Sequence, residues 1–429
     1  MRGERGRPPG SRPGRRLLGL VLAVAGALFV AACGSKPAAT APSRAPAAVI
    51  VVPTLATSVS SSGGATWAVV DMGGAASAYE NFWELFVRPP GASGWKLATP
   101  TGVASNGGLV MTAAGATSLV TGFRPSQDLT FSPLALTGNG GKTWDTGLVD
   151  ASVAAVPDAL ALGGGRMLVL LGDGAIDQAA TSGAGIPGEG VSGAAQPSAS
   201  AAAWTRLAAP GAIAGSAAGR DCHVTAVTAV SLTAAGTPLV GASCARPGIA
   251  GIFASAGSGW RAAGPALTGR LAGEPVRVLR LTASGGAGTM ALLQSGTGDA
   301  TNLLAAWTAD GTHWTVSPPL PVHGAQVLSS GAGPGTTAAW VLLAGGRAAT
   351  IAEPGAPGAP GAPGATGTAW RSLPAPPHGT AVLAPGPGGV LDALAVSGGS
   401  ALTVFRLTPA GAWQQTQVIS VPVQLGSSS

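Results

Sequence analysis

The sequence predicts an all-β fold, a β-propeller of four-stranded blades numbering seven, on three observations. Short apolar segments recur between glycine turns; seven tryptophans return at nearly even spacing; and no apolar pattern of period 3.6 is sustained beyond the first 32 residues. The 69 glycines and 35 prolines among 429 residues bring the composition close to the roughly 25% Gly plus Pro at which disorder becomes the default. The repeat is what argues for order.

At the amino terminus Arg2, Arg5, Arg7, Arg12, Arg15 and Arg16 stand against one acid, Glu4, and the sixteen residues from Leu17 to Ala32 carry no charge or polar side chain. That run is shorter than the roughly 20 residues of a membrane-spanning helix and has the proportions of a signal peptide. It closes in Val30-Ala31-Ala32-Cys33-Gly34-Ser35, which resembles the lipobox of bacterial lipoproteins. The resemblance implies that residues 1–32 are removed and that lipid on Cys33 anchors the chain to the outer face of the cell membrane, two acyl chains sufficing where one is marginal. An ordinary secreted protein and a short uncleaved anchor are the alternatives. Arg15-Arg16 leaves twin-arginine export open beside the general secretory route.

Of the 23 basic and 17 acidic residues, six and one lie in this leader, so the remainder carries 17 and 16, a net charge of +1. The basic balance of the whole chain therefore belongs to the export signal and gives no argument for nucleic acid as a partner. Only three lysines, against abundant Ala, Gly, Pro and Arg, suggest a high-GC, actinobacterial genome. With Cys33 spent on lipid, Cys222 and Cys244 remain. An even pair outside the cytoplasm is expected to form a disulfide.

Residues 33–48, rich in Ala, Pro and Ser, read as a flexible tether. The propeller is expected over residues 49–424, with loop insertions near 182–201 and 354–368 and a short tail at 425–429. Within it Trp95, Trp144, Trp204, Trp260, Trp314, Trp370 and Trp413 recur at intervals of 49, 60, 56, 54, 56 and 43 residues. Each stands near the foot of the second strand of a hairpin, and two more apolar segments precede that hairpin. The clearest unit places strands at Val227 to Leu232, Pro238 to Ser243, Ala250 to Ala254 and Trp260 to Ala263. Four strands per repeat of roughly 40 to 50 residues is the propeller signature. The third unit, with strands near Leu160 to Leu162 and Met167 to Leu171, is blurred by its insertion and leaves six or eight blades open.

Two turns carry a second resemblance. Thr137-Gly138-Asn139-Gly140-Gly141-Lys142-Thr143-Trp144 looks like the Asp-box, or bacterial neuraminidase repeat, and Thr308-Ala309-Asp310-Gly311-Thr312-His313-Trp314 is similar with one residue deleted. The side chain at the third position, Asn139 or Asp310, is expected to accept backbone N–H bonds across the turn while Trp144 or Trp314 packs beneath. The other five units lack the acid. The resemblance implies a structural role for these residues and no chemistry.

No catalytic set assembles in the sequence. A sialidase resembling that family needs a tyrosine assisted by glutamate and three arginines; Tyr79 is the one tyrosine, with Glu80 beside it, and no arginine set can be placed. Gly-x-Ser-x-Gly is absent, and His223, His313, His323 and His378 have no ligand spacing. Tyr79 and Trp83, in Tyr79-Glu80-Asn81-Phe82-Trp83-Glu84-Leu85-Phe86, form a candidate recognition patch; the plainer reading is a strand of the first blade. The expectation is a monomeric binding or scaffolding protein for a protein or glycan, engaged at one end of the channel, with no metal, cofactor or nucleic acid. A carbohydrate-active hydrolase is the alternative. A transporter's solute-binding protein would alternate strands and helices, and this chain does not.

Overall fold

The computed structural model describes residues 59–72, 83–100, 109–123, 134–146, 157–163, 165–180, 204–233, 235–283, 288–332, 339–352, 369–397 and 401–421. All lie in one compact unit, Val49–Ser429. The leader, the tether, both insertions and the tail fall outside the described residues.

The protein is a β-propeller whose described strands fall into seven four-stranded antiparallel meanders. Blade one holds β1 (Val59–Ser62), β2 (Ala65–Asp71), β3 (Trp83–Arg88) and β4 (Lys96–Leu97), and blade two β5 (Leu109–Ala114), β6 (Ser118–Phe123), β7 (Leu134–Thr137) and β8 (Asp145–Thr146). Blade three holds β9 (Pro157–Gly163), β10 (Arg166–Leu171), β11 (Ile176–Ala180) and β12 (Thr205–Ala208). Two short helices, α1 (Ala212–Gly215) and α2 (Ala217–Cys222), lead into blade four, β13 (Val224–Leu232), β14 (Pro238–Cys244), β15 (Gly251–Ala256) and β16 (Gly259–Ala262). Blade five holds β17 (Val276–Ala283), β18 (Thr289–Ser295), β19 (Asn302–Thr308) and β20 (Thr315–Val316), with β21 (Leu320–Pro321) also pairing β19. Blade six is β22 (Val327–Ala332), β23 (Ala339–Leu343), β24 (Arg347–Ile351) and β25 (Arg371–Ser372); blade seven is β26 (Thr380–Pro385), β27 (Leu391–Ser397), β28 (Ala401–Leu407) and β29 (Trp413–Ser420). A short β14–β17 pairing joins blades four and five into one nine-stranded sheet.

The middle strands read as continuous apolar runs, such as Ala339–Leu343 and Met167 to Leu171, because both faces of each sheet are covered. The core is accordingly distributed between blades. Trp67, Leu85 and Val87 of blade one pack with Leu109, Met111 and Leu119 of blade two, and Leu168 and Ile176 of blade three pack with Val240 and Phe253 of blade four. Full burial of one such aliphatic side chain contributes about 1.5–3 kcal/mol.

The tryptophan repeat has a second physical basis. Four of its indole N–H groups donate to a carbonyl at the end of the preceding blade: Trp144 to Ala98 (3.1 Å), Trp314 to Ala263 (2.6 Å), Trp370 to Pro318 (3.0 Å) and Trp413 to Pro374 (3.1 Å). One residue thus fills the interblade space and latches it. The partner carbonyl lies three or four residues after the preceding Trp of the series, in the segment that runs toward proline.

Trp95 has no earlier described blade to reach, and it turns instead to blade seven. Its Nε1 donates to Asp392 Oδ2 at 3.0 Å. Asp392, on β27, is fully buried and also accepts from Arg406 Nε (2.8 Å) and Nη2 (3.1 Å) on the neighbouring β28. Gln417 completes the joint by accepting from Trp95 N at 2.8 Å and donating to Trp95 O at 2.9 Å. Arg88 adds a bond to Pro385 O at 3.1 Å, and Arg406 one to Ser93 O at 3.0 Å. Among the described residues no strand is exchanged between these two blades; side chains hold the joint.

At the inner edge, a bulge in β17 between Val278 and Arg280 places two residues against one. Leu279 goes into the core shared with blade six, and the next residue is Arg280. Its buried guanidinium donates to Ser330 O on β22 and to Val59 O on β1. Three inner strands are therefore tied at one point.

Asp392→Ala should cost about 3–5 kcal/mol, the order expected when one member of a buried ion pair is removed, and Trp95→Phe about 1 kcal/mol for its lost hydrogen bond. Urea unfolding of both single variants and the double variant checks this: because the two groups share one contact, the double variant should fall short of the sum of the singles.

Candidate functional site

A four-stranded meander sorts its loops. Connections from first to second and third to fourth strands emerge at one end of the ring, and the remaining connections emerge at the other. The tryptophan turns belong to the first end, here the turn end. The α1–α2 segment belongs to the second, the helix end.

The helix end is built by blades three to six. Ser216 caps α2 by accepting from Gly219 N at 3.0 Å, and α2 packs so close to α1 that a Cβ at Gly219 would lie 1.9 Å from Ile213 O. The last residue of α2, Cys222, is bonded to Cys244 at the end of β14, with Cα atoms 5.2 Å apart and both side chains buried. Gly251 lies against this bond; a Cβ there would stand 2.6 Å from Cys244 Sγ. Main-chain bonds extend the platform from the disulfide: Ala245 N to His223 O and Arg246 N to Cys222 O within blade four, then Gly248 N to Glu274 O toward blade five. His223 and His323, both at this end and both exposed, hold left-handed backbone with φ of 55° and 50°. Such a conformation costs a residue with a side chain on the order of 1 kcal/mol and persists only where its surroundings impose it.

Three guanidinium groups at this end are oriented by carbonyls: Arg220 by Gly215 O, Arg246 by Asp221 O (3.3 Å) and Arg347 by Val322 O (3.0 Å). Among the described residues none of the three is paired with a carboxylate. They share that end with the exposed acids Asp173, Asp221 and Asp299. Toward the axis, burial lowers the Arg280 pKa to about 10, and again no carboxylate among the described residues faces it.

At the turn end both tryptophan turns make the bonds expected of their third residue. Asn139 Oδ1 accepts from Lys142 N (3.1 Å) and Thr143 N (3.0 Å), and Asp310 Oδ1 accepts from Thr312 N and His313 N, both at 2.8 Å. His313 Nδ1 lies 2.5 Å from Asp310 Oδ2. These contacts, the His313 side chain first, hold the Asp310 carboxyl well below its ordinary range, and Asp310 in turn raises the His313 pKa. Trp144 meets Trp67 edge to face, with centroids 6.4 Å apart.

The other sequence candidates separate. Cys33 and Tyr79 lie outside the described residues. Trp83 is the first residue of β3 and packs in the core between blades one and two. Its neighbour Glu84 is buried, accepts from Thr99 Oγ1, and has its pKa raised by desolvation. Sequence reasoning missed Arg280, whose carbonyl partners come from distant strands. It also missed Asp392 with Arg406, although the two stand directly opposite in the register of one hairpin. Asp177 and Arg206 repeat that arrangement on β11 and β12. Among the described residues no three His, Cys, Asp or Glu side chains gather to hold a metal ion, and no helix is long and apolar enough to cross a membrane.

No family model matches the sequence, and no curated protein matches it. Solved structures with a similar backbone include a putative 6-phosphogluconolactonase from Bacteroides uniformis, with 14% identity, 83% of this chain and 96% of that one covered, and a TM-score of 0.49. YCF48 from Cyanidioschyzon merolae has 12% identity, coverage of 85% and 96%, and a TM-score of 0.41. The six-bladed fucose-recognising lectin of Aleuria aurantia has 11% identity, coverage of 86% and 96%, and a TM-score of 0.36. The propeller assignment rests on the sheets themselves, and none of these likenesses assigns an activity.

Two titrations follow. In Asp310→Asn the His313 midpoint, read from imidazole proton shifts by NMR, should fall toward the ordinary value; the contribution of the ion pair is complete below the unfolded imidazole pKa and fades as pH rises through the raised one. For Glu84, whose folded pKa is raised, the sign is opposite: its cost is absent at low pH and appears as pH rises from the unfolded carboxyl pKa through the folded one. Glu84→Gln should therefore flatten this part of the stability–pH profile and gain stability at neutral pH, measured by urea midpoints.

Proposed function

We propose that this chain is an extracytoplasmic lipoprotein, anchored through Cys33, whose propeller binds a protein or glycan partner at the helix end of the ring. The observation that carries the reading is the Cys222–Cys244 bond. A buried structural disulfide belongs to an oxidising compartment, the destination implied by the basic and then apolar leader. At the same time the bond staples the two-helix insertion to β14, so that an elaborated loop becomes a fixed surface on a rigid ring. The carbonyl-oriented guanidiniums of Arg220, Arg246 and Arg347 give that surface donors suited to carboxylates, whether of an acidic protein loop or of an acidic sugar. Where Arg280 ties three inner strands, its side chain fills space near the axis. On this reading the partner sits on the end of the ring.

Cys33→Ser should abolish incorporation of labelled palmitate, leave the leader uncleaved and change membrane fractionation. A parent chain that takes up no label would defeat the anchor. For binding, a photo-cross-linker placed at Arg246 should capture one discrete partner in native membranes, while the same group at Lys142, on the turn end, should not. Equal capture at both positions, or sustained glycoside turnover abolished by a single carboxylate change, would defeat the binding reading.

A further inference from the structure

The tryptophan latch has an exception. Trp95, Trp144, Trp314, Trp370 and Trp413 each donate the indole N–H to a neighbouring blade, whereas among the described residues the N–H of Trp260 has no acceptor. The carbonyl that should receive it is present in the sequence. Ala208-Ala209-Pro210 repeats Ala98-Thr99-Pro100 and Ala263-Gly264-Pro265, whose alanine carbonyls take the bonds of Trp144 and Trp314. A register shift in β12 sets an extra residue, Leu207, ahead of Ala208, so that this carbonyl stands one place further along the strand. The half-buried ring of Trp260 still packs toward blade three, against the core that Leu168 shares with Phe253.

Blade three turns unused polar groups toward the same groove. Cross-strand partners share a face of the sheet, and Gln178 on β11 lies opposite Leu168, so Gln178 faces blade four. Its Oε1 is buried and has no hydrogen-bond partner among the described residues. Arg166, two residues before Leu168 on β10, shares that face by alternation; it is exposed, and among the described residues it pairs with no carboxylate. From blade four, Ser255 stands opposite Trp260. Just inside the groove the blades touch: a Cβ on Gly163 would meet Leu232 Cβ at 3.8 Å. Among the described acids of these two blades, Asp177 faces blade two and is held by Arg206, while Asp158, Asp173 and Asp221 belong to the helix end. The groove opens toward the turn end, where Arg166 and Trp260 begin their strands.

We infer that the groove between blades three and four binds an acidic sugar, a hexuronic acid unit of a glycan. Each group in it has a complement on that ligand. The guanidinium of Arg166 offers two parallel donors to the carboxylate. The buried Gln178 oxygen accepts from a ring hydroxyl and the Trp260 N–H donates to one; a hydroxyl can do both. The C–H face of the pyranose packs on the indole, an apolar body with a polar edge. A neutral sugar leaves Arg166 unused, and a simple anion leaves the indole and the buried amide oxygen unused, the latter at the full cost of an unmade bond. The inference is independent of the helix-end reading, because this groove opens at the opposite end of the ring.

The test titrates the full-length chain in detergent with methyl glucuronide and methyl galacturonide, with the methyl glucoside and galactoside as neutral counterparts and acetate as the bare carboxylate, and reads saturable binding by ligand-observed NMR. One uronide or both should bind about tenfold more tightly than the neutral counterpart and than acetate, the order of one charge-assisted hydrogen bond. Arg166→Gln should remove most of that preference. Gln178→Leu and Trp260→Phe should each weaken uronide binding several-fold, Phe keeping the apolar face while losing the N–H. Arg261→Gln, on the opposite face of β16, and Arg246→Gln, at the helix end, should leave it unchanged. Absence of saturable binding for both uronides, affinity no better than that of acetate, or binding that none of the three groove variants lowers would overturn the inference. Loss of binding in Arg246→Gln would overturn it equally, by moving the site to the helix end. A second measurement needs no ligand: because the Trp260 N–H is unpaired, Trp260→Phe should shift the urea midpoint less than Trp314→Phe, and an equal shift would show the indole latched and sink the proposal.

Discussion

The carboxylate of Asp392 is the group on which the ring depends. Six of the seven joints lie between blades that follow one another in the chain, so their partners are never far apart. The seventh must bring together residues separated by about three hundred positions, Trp95 with Asp392 and Gln417. The loop-closure entropy of such a contact is the largest among the described hydrogen bonds, and the joint is polar. A buried carboxylate is costly alone; two bonds from Arg406 and one from Trp95 offset that cost with the stronger class of hydrogen bond, one end of which is charged. Arg88 stands close enough to feel both ions: desolvation lowers its pKa, Asp392 raises it and Arg406 lowers it again. The positive charge is thus shared across the seam. Apolar packing of Phe86, Leu383 and Trp95 keeps water out.

Much of this fold was legible in the sequence, and the reasons are local. Tryptophan repeats visibly because one residue does two jobs, filling the interblade space and donating to the neighbouring blade, which no smaller aromatic residue does with the same reach. Strands expected at Val227 to Leu232 and Pro238 to Ser243 are found as Val224–Leu232 and Pro238–Cys244, and the blurred third unit proves to be a complete blade. The helices escaped because α1 and α2 span four and six residues, fewer than two turns, too few for a period to register. Arg280 escaped for a different reason: its meaning lies in carbonyls of β1 and β22, and nothing near it in the chain announces them. Asp392 and Arg406 were within reach, since a hairpin read with its register places opposite charges face to face.

The two ends of the ring differ in kind. At the turn end, side chains serve the backbone: Asn139 and Asp310 spend their acceptors on the turns that carry them. At the helix end the order is reversed, because backbone carbonyls steer guanidiniums whose charge is left available. Such a division suits a scaffold that holds its shape with one face and meets another molecule with the other. The disulfide serves the second face, fixing the two-helix insertion to β14.

Because the described strands of each blade follow one another in the chain and none of them pairs across the seam, the order of synthesis becomes an order of assembly. The half of the clasp made by Arg88 and Trp95 is complete early, whereas Asp392, Arg406 and Gln417 are supplied only with the last blade. Until then blade one holds the face that includes Phe86 and Trp95, later buried, open to water. The stage of greatest vulnerability is thus the interval before the final forty residues arrive, and a chain stopped short of them would carry six blades and no means of becoming a circle.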